Sequence, residues 1–134
     1  MCKGFTLIEM LIVIIIVALL VSLSVPKYKT AMEKARAQEG ITNLTLAADQ
    51  ANGYYMSHED KGYTGFSSNY GQGADKTKQV YFNTVGISGG GESLTLSIAR
   101  KTGAYTLGMQ LSGGKVSRRT CTGDTRLCDA IGWE

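Results

Sequence analysis

From Phe5 to Val25 the chain holds one charged residue, Glu9, in a run that is otherwise apolar or hydroxyl-bearing. As a helix, a span of about 21 residues rises roughly 31 Å, the thickness of a bilayer's hydrocarbon core. Four residues precede it. A secretory signal peptide would be cut after its apolar core, at a small-residue site, and no A-x-A-like site stands between this run and Lys27 and Lys29. The expectation is a membrane-spanning helix that is kept in the mature protein.

Glu9 makes that helix more than an anchor. A carboxylate inside a transmembrane helix costs on the order of 3 kcal/mol, so such a residue is expected to have a partner and a role. A cut between Gly4 and Phe5 would create an α-amino group near the membrane, available to the Glu9 of another subunit, and joining subunits would neutralise both charges. The alternative is that Glu9, close to Phe5, reaches the headgroups and does nothing further.

The run Lys3, Gly4, Phe5, Thr6, Leu7, Ile8, Glu9 resembles the type IV prepilin signature. The resemblance implies that a membrane-embedded prepilin peptidase cuts after Gly4 and methylates Phe5, and that Glu9 is the assembly glutamate. Pro26 and Tyr28 also stand where pilins commonly have a proline and an aromatic. Beyond about residue 60 the resemblance is architectural only. It implies an α+β, pilin-like fold: a long N-terminal helix, hydrophobic in its first half and amphipathic in its second, packed on a small antiparallel meander sheet of about four strands.

The expected organisation is a leader at 1–4, a membrane and filament-core helix at 5–26, an amphipathic helix of the head at 27–57, and a globular head at 58–134. With 134 residues the chain has room for one small domain beside the anchor, and part of its 43% hydrophobic content belongs to the helix. Its formal net charge of +3 falls to about +2 once Lys3 leaves with the leader, too little to imply nucleic acid by itself. Lys3 before the apolar span favours a cytoplasmic N-terminus, with the head facing outward.

Loss of Cys2 with the leader leaves Cys121 and Cys128 as the only cysteine pair. In an oxidising compartment their disulfide closes a loop of about eight residues, for which chain entropy gives roughly 2.5 kcal/mol. The rival is a metal site, but two cysteines with only His58, far away in sequence, lack a tetrahedral ligand set. Many type IV pilins close a C-terminal loop in the same way, so the resemblance points to the disulfide as well.

After Pro26 the apolar residues Tyr28, Ala31, Met32, Ala35, Ile41, Leu44, Ala48, Ala51 and Tyr55 recur at helical spacing, opposite Lys27, Glu33, Lys34, Glu39, Asn43 and Gln50. The pattern predicts an amphipathic helix to about Met56. Pro26 and Gly40 are its candidate bends. By resemblance, Ser22 to Lys27 extends on assembly; a permanent gentle kink is the alternative. From His58 to Lys78 the composition predicts a connecting loop, with Tyr63, Phe66 and Tyr70 lying on the head as satellite core. A sugar-binding or electron-carrying cluster is the alternative for these aromatics. His58 is expected to be a solvated helix-end residue. Strands are predicted at Val80–Val85, Ser93–Ala99, Ala104–Leu111 and Lys115–Thr120, with turns at Gly89–Gly91, Lys101–Gly103 and Ser112–Gly114.

Lys115, Arg118, Arg119 and Arg126 form a candidate nucleic-acid patch, against the commoner reading of scattered surface charge. The Gly89–Gly91 run lacks the Lys-Ser/Thr and the following helix of a phosphate loop. With a single His, no free thiol once the disulfide forms and no paired carboxylates, the chain reads as a non-enzyme needing no cofactor or metal. The resemblance implies a structural pilus subunit, stored in the inner membrane with its head outward and then assembled into an extracellular filament for adhesion, twitching motility or DNA uptake. Its implied partners are copies of itself, the prepilin peptidase, the pilus assembly machinery and the inner membrane, with DNA or surfaces as further targets. Two alternatives stay open: a pseudopilin of a type II secretion system, for which Asp124 and Asp129 make a poor calcium set, and a minor pilin acting as a DNA-binding or adhesive module.

Overall fold

The structure is a computed structural model that describes residues 4–66 and 79–133. The leader residues 1–3, most of the connecting loop and its aromatic Tyr70 lie outside the described residues. The element order is α1 (Leu7–Ser57), β1 (Gly86–Gly90), β2 (Ser93–Ala99), β3 (Tyr105–Ser112), β4 (Lys115–Gly123) and α2 (Thr125–Ile131). The chain divides into two compact units, Met1–Glu33 and Lys34–Glu134.

In the first unit, α1 is uncovered along its whole apolar stretch, with Leu7 93% and Leu23 70% exposed. It is the one helix among the described residues that is long and apolar enough to cross a membrane. The stripe expected after Pro26 begins exposed: Tyr28 is 66% and Met32 37% accessible.

Burial in the second unit starts at Ala37 and follows Gly40, Leu44, Ala47, Ala48 and Ala51. These small residues at three- and four-residue intervals give α1 a narrow face on which a sheet can lie close. At Gly40 a Cβ would stand 2.9 Å from the Phe82 ring, so the glycine makes room for an aromatic and is not simply a weak point of the helix.

The sheet is an antiparallel meander in the order β1-β2-β3-β4. Leu94, Leu96 and Ile98 of β2 pair with Leu111, Met109 and Leu107 of β3, and all six are buried. Because registered partners share a face, this row defines the inward side, and it joins Leu44 and the α1 alanines in one core. The β3–β4 hairpin turns on Gly113 and Gly114, with φ of 57° and 76°. Two consecutive left-handed residues match the twist of the strands they join.

The first strand lies elsewhere than its apolar alternation predicts. Val80–Val85 does not form it; Gly86–Gly90 does. Phe82 and Val85 are buried core anchors, while the Tyr81 and Phe82 N–H groups donate to the Glu39 carboxylate at 3.1 and 3.4 Å. The segment's backbone pairs with the end of β2 only around the bridge of Phe82 to Arg100, where the Asn83 N–H donates to the Ala99 carbonyl at 2.9 Å and the Lys101 N–H to the Tyr81 carbonyl at 3.0 Å. The short helix α2 was also not anticipated. Asp124 caps it by accepting from the Arg126 and Leu127 N–H groups, and Gly132 ends it in the left-handed region at φ 65°.

Candidate functional site

Gly4, Phe5 and Thr6 lie outside the helix and are exposed. Thr6 is the cap of α1: its hydroxyl accepts from the Glu9 N–H at 3.3 Å, and its carbonyl accepts from the Met10 N–H at 3.3 Å. Threonine three residues before glutamate is the order of a capping box. The proposed scissile bond, Gly4–Phe5, therefore sits in non-helical, accessible backbone just before the first turn.

Glu9 occupies that first turn. A carboxylate there is favoured by the helix dipole, which softens its cost without supplying a counter-charge. Among the described residues it has no cationic partner. Around it Phe5, Leu7, Ile8 and Met10 are exposed at 72, 93, 68 and 45%, so carboxylate and apolar surface are offered together.

At the other end of the apolar stretch, Pro26 lies inside α1, which is continuous across it. Proline has no N–H for the Ser22 carbonyl. Ser22 and Ser24 donate their hydroxyls to the Leu19 and Leu20 carbonyls, each at 2.8 Å, and Thr30 donates to the Pro26 carbonyl at 3.3 Å. This hydroxyl set was missed at the sequence level. Its signal was present: two serines and a threonine flank the only proline of the chain.

In the head, Cys121 and Cys128 are disulfide-bonded with Cα atoms 5.6 Å apart. Cys121 is registered with Leu107 on the inward face, so the bond holds α2 on that side of the sheet. Cys128, Ile131 and Trp133 are buried there. The indole N–H of Trp133 donates to the Gly108 carbonyl at 3.0 Å, and the Arg119 guanidinium lies 4.9 Å from the ring centre.

The four basic residues of the candidate patch are not on one surface. Arg119 pairs with Met109 and faces inward to Trp133. Arg118 pairs with Gln110 and Lys115 with Ser112, which places both outward. Arg126 belongs to the first turn of α2, two residues after the capping Asp124.

Of the loop aromatics, Tyr63 and Phe66 are buried as satellite core. The Tyr63 hydroxyl donates to Asn52 Oδ1 and accepts from the Gly114 N–H, both at 3.1 Å, tying α1 to the β3–β4 turn. Burial pushes its pKa above the ordinary tyrosine value; the Gly114 N–H works against that rise and Tyr55 adds to it. His58 ends the helix as expected but is not simply solvated. Its ring stacks on Tyr54 at 4.2 Å, and Nδ1 lies 2.9 Å from the Ser57 hydroxyl. Among the described residues no group of three His, Cys, Asp or Glu side chains is placed to hold a metal ion.

Residues 1–25 match the prokaryotic N-terminal methylation motif. The chain is similar to the fimbrial protein EcpC of Eikenella corrodens, at 28% identity over 81% of the chain and 69% of that protein. It is also similar to a fimbrial protein of Neisseria meningitidis, at 30% identity over 71% of the chain and 55% of that protein. A third relative, a ComG operon protein 3 homolog of Bacillus licheniformis, is 37% identical over 44% of the chain and 61% of its own length. The chain thus spans little more than half to about two thirds of these relatives. No solved structure gives a significant match. Motif and relatives agree: the chain carries the prokaryotic N-terminal methylation motif and is similar to fimbrial proteins.

Proposed function

We propose that the chain is a non-catalytic structural subunit of a type IV pilus, held in the inner membrane by residues 5–26 and then packed with other copies through the same helix. One observation carries this reading: the apolar stretch of α1 is bare and presents Glu9 in its first turn without a cationic partner among the described residues. Lipid covers such a helix before assembly, and neighbouring helices replace the lipid in a fibre. The amine freed at Phe5 by cleavage after Gly4 then meets Glu9 of another copy, removing two charges from an apolar interior. The fibre serves adhesion, twitching motility or DNA uptake.

Glu9→Ala separates the steps. The variant should insert in the membrane as well as the parent chain, because losing a charge makes the helix more apolar. Its recruitment into filaments should fall at least about tenfold, the equivalent of about 1.4 kcal/mol of lost pairing. Membrane fractionation and the yield of sheared filaments measure the two steps. Undiminished filament yield from cells expressing only this variant would remove Glu9 from the assembly mechanism.

A further inference from the structure

Asn52 stands in the last two turns of α1 and is followed by Gly53. It is the one asparagine of the chain with glycine after it; Asn43, Asn69 and Asn83 precede Leu44, Tyr70 and Thr84. The difference is chemical. The side-chain carbon of an asparagine is open to attack by the backbone nitrogen of the next residue, and a glycine there neither obstructs the approach nor restricts the backbone. Gly53 is exposed, and a Cβ built on it would meet nothing within 4 Å, so among the described residues no neighbour walls the pair off.

Two restraints keep the pair unreactive. Inside a helix the Gly53 nitrogen is committed to the carbonyl four residues back, out of line with the Asn52 side chain. The second restraint is tertiary: Asn52 Oδ1 accepts from the Tyr63 hydroxyl at 3.1 Å, and that hydroxyl accepts in turn from the buried Gly114 N–H. The amide is thereby tied to the β3–β4 turn, and its carbon cannot swing toward its own backbone while the bond lasts. Neither restraint is deep. Helix ends open locally at a fraction of the cost of global unfolding, and Gly53 weakens the helix at the place where it stands.

We propose that Asn52–Gly53 is a self-modification site of the folded chain, which deamidates when the end of α1 opens, and that the Tyr63 hydroxyl is the latch that sets its rate. In the reaction the Gly53 nitrogen gives its proton to water or hydroxide and attacks Asn52 Cγ. The new N–C bond closes a succinimide, and the side-chain nitrogen leaves as ammonia. Water then adds to one of the two imide carbonyls and opens the ring to aspartate or isoaspartate, with no oxidant or further reactant. The products differ in consequence. Aspartate keeps an oxygen for Tyr63. Isoaspartate routes the main chain through the side-chain carbon, and the added methylene breaks the helical repeat and frees the end of α1 from the β3–β4 turn. The modified fraction is therefore a permanent record of how long the folded chain has been opening at this end.

The test ages the full-length chain in neutral detergent at mildly alkaline pH and follows the change of amide to acid by peptide mass spectrometry. Conversion should appear at Asn52 ahead of Asn43 and Asn83, should quicken as pH rises, and should run at least about tenfold slower than in the urea-denatured chain. Tyr63→Phe, which keeps the ring and removes the latch, should speed it at least about threefold. Gly40→Ala crowds Phe82 and leaves Asn52 untouched, so conversion there should stay within about twofold of the parent, because opening at the helix end bypasses the core. The proposal is overturned by undetectable conversion in the folded parent and Tyr63→Phe alike, or by a rate in Tyr63→Phe that is unchanged or lower. A rate in Tyr63→Phe equal to that of the denatured chain, or an equal acceleration in Gly40→Ala, would also overturn it, assigning the reaction to global unfolding.

Discussion

Single residues in the head work as close-fitting parts. Gly40 is the clearest, because its hydrogen faces the Phe82 ring and a methyl there would sit 2.9 Å from ring carbons. Helix propensity alone favours Gly40→Ala by about 1 kcal/mol, but Phe82 is fully buried and cannot swing into solvent. Overpacking should win, lowering stability by about 1 to 3 kcal/mol in denaturant titration of the detergent-solubilised chain. Tyr63 is satisfied on both sides of its hydroxyl. Tyr63→Phe keeps the ring but orphans Asn52 Oδ1 and the buried Gly114 N–H, for a loss of about 1 to 3 kcal/mol. Its raised pKa sets a pH dependence of definite sign. The folded state favours the neutral phenol, so the contribution is complete below the ordinary value near 10. It is lost as pH rises through the higher folded value. Alkaline melts should show this decline in the parent chain and less of it in Tyr63→Phe.

At the scale of elements, the disulfide and α2 behave as one device. The helix has only seven residues, too few to be stable alone in water. It is held by Asp124 and Gly132 at its ends, by Cys121–Cys128 at its middle, and by Trp133 after it. Cys121→Ser with Cys128→Ser should cost roughly 2.5 kcal/mol and loosen Trp133, the only tryptophan. Its fluorescence is therefore a clean probe. Coincident melts of oxidised and reduced protein would show that the bond adds nothing to the fold. β4 shows a second element-scale device: its bulge at Ser117 sets Lys115 on the same face as Arg118, while Arg119 stands on the opposite face.

For the whole molecule, the proposed function gives the exposed apolar half-helix two environments in sequence, lipid and then protein. Maturation is the hinge between them. Mass spectrometry of purified filaments should find a chain that begins at Phe5, carries one added methyl group, and retains the apolar stretch. A mature N-terminus beyond Val25 would contradict the filament reading as a whole, since the packing helix would be gone.

What was legible in the sequence is what is encoded locally or by counting. A run of apolar residues with a carboxylate near its start needs no partner segment to declare itself. With Cys2 expected to leave with the leader, the other two cysteines can pair in only one way. The alternation of Leu94, Leu96 and Ile98 marks a half-buried strand wherever the strand is placed. Tertiary structure decided everything that depends on a neighbour. Val80–Val85 looks like a strand, yet Phe82 is claimed by the gap at Gly40 and its backbone by Glu39, so the ladder passes to the glycine-rich Gly86–Gly90. Asp124 and Gly132 could have announced α2, but seven residues carry too little periodicity to outweigh a loop. The side of the sheet on which each basic residue stands was beyond reach as well. Strand side chains alternate with period two, and one unpaired residue at Ser117 reverses the count for every position before it.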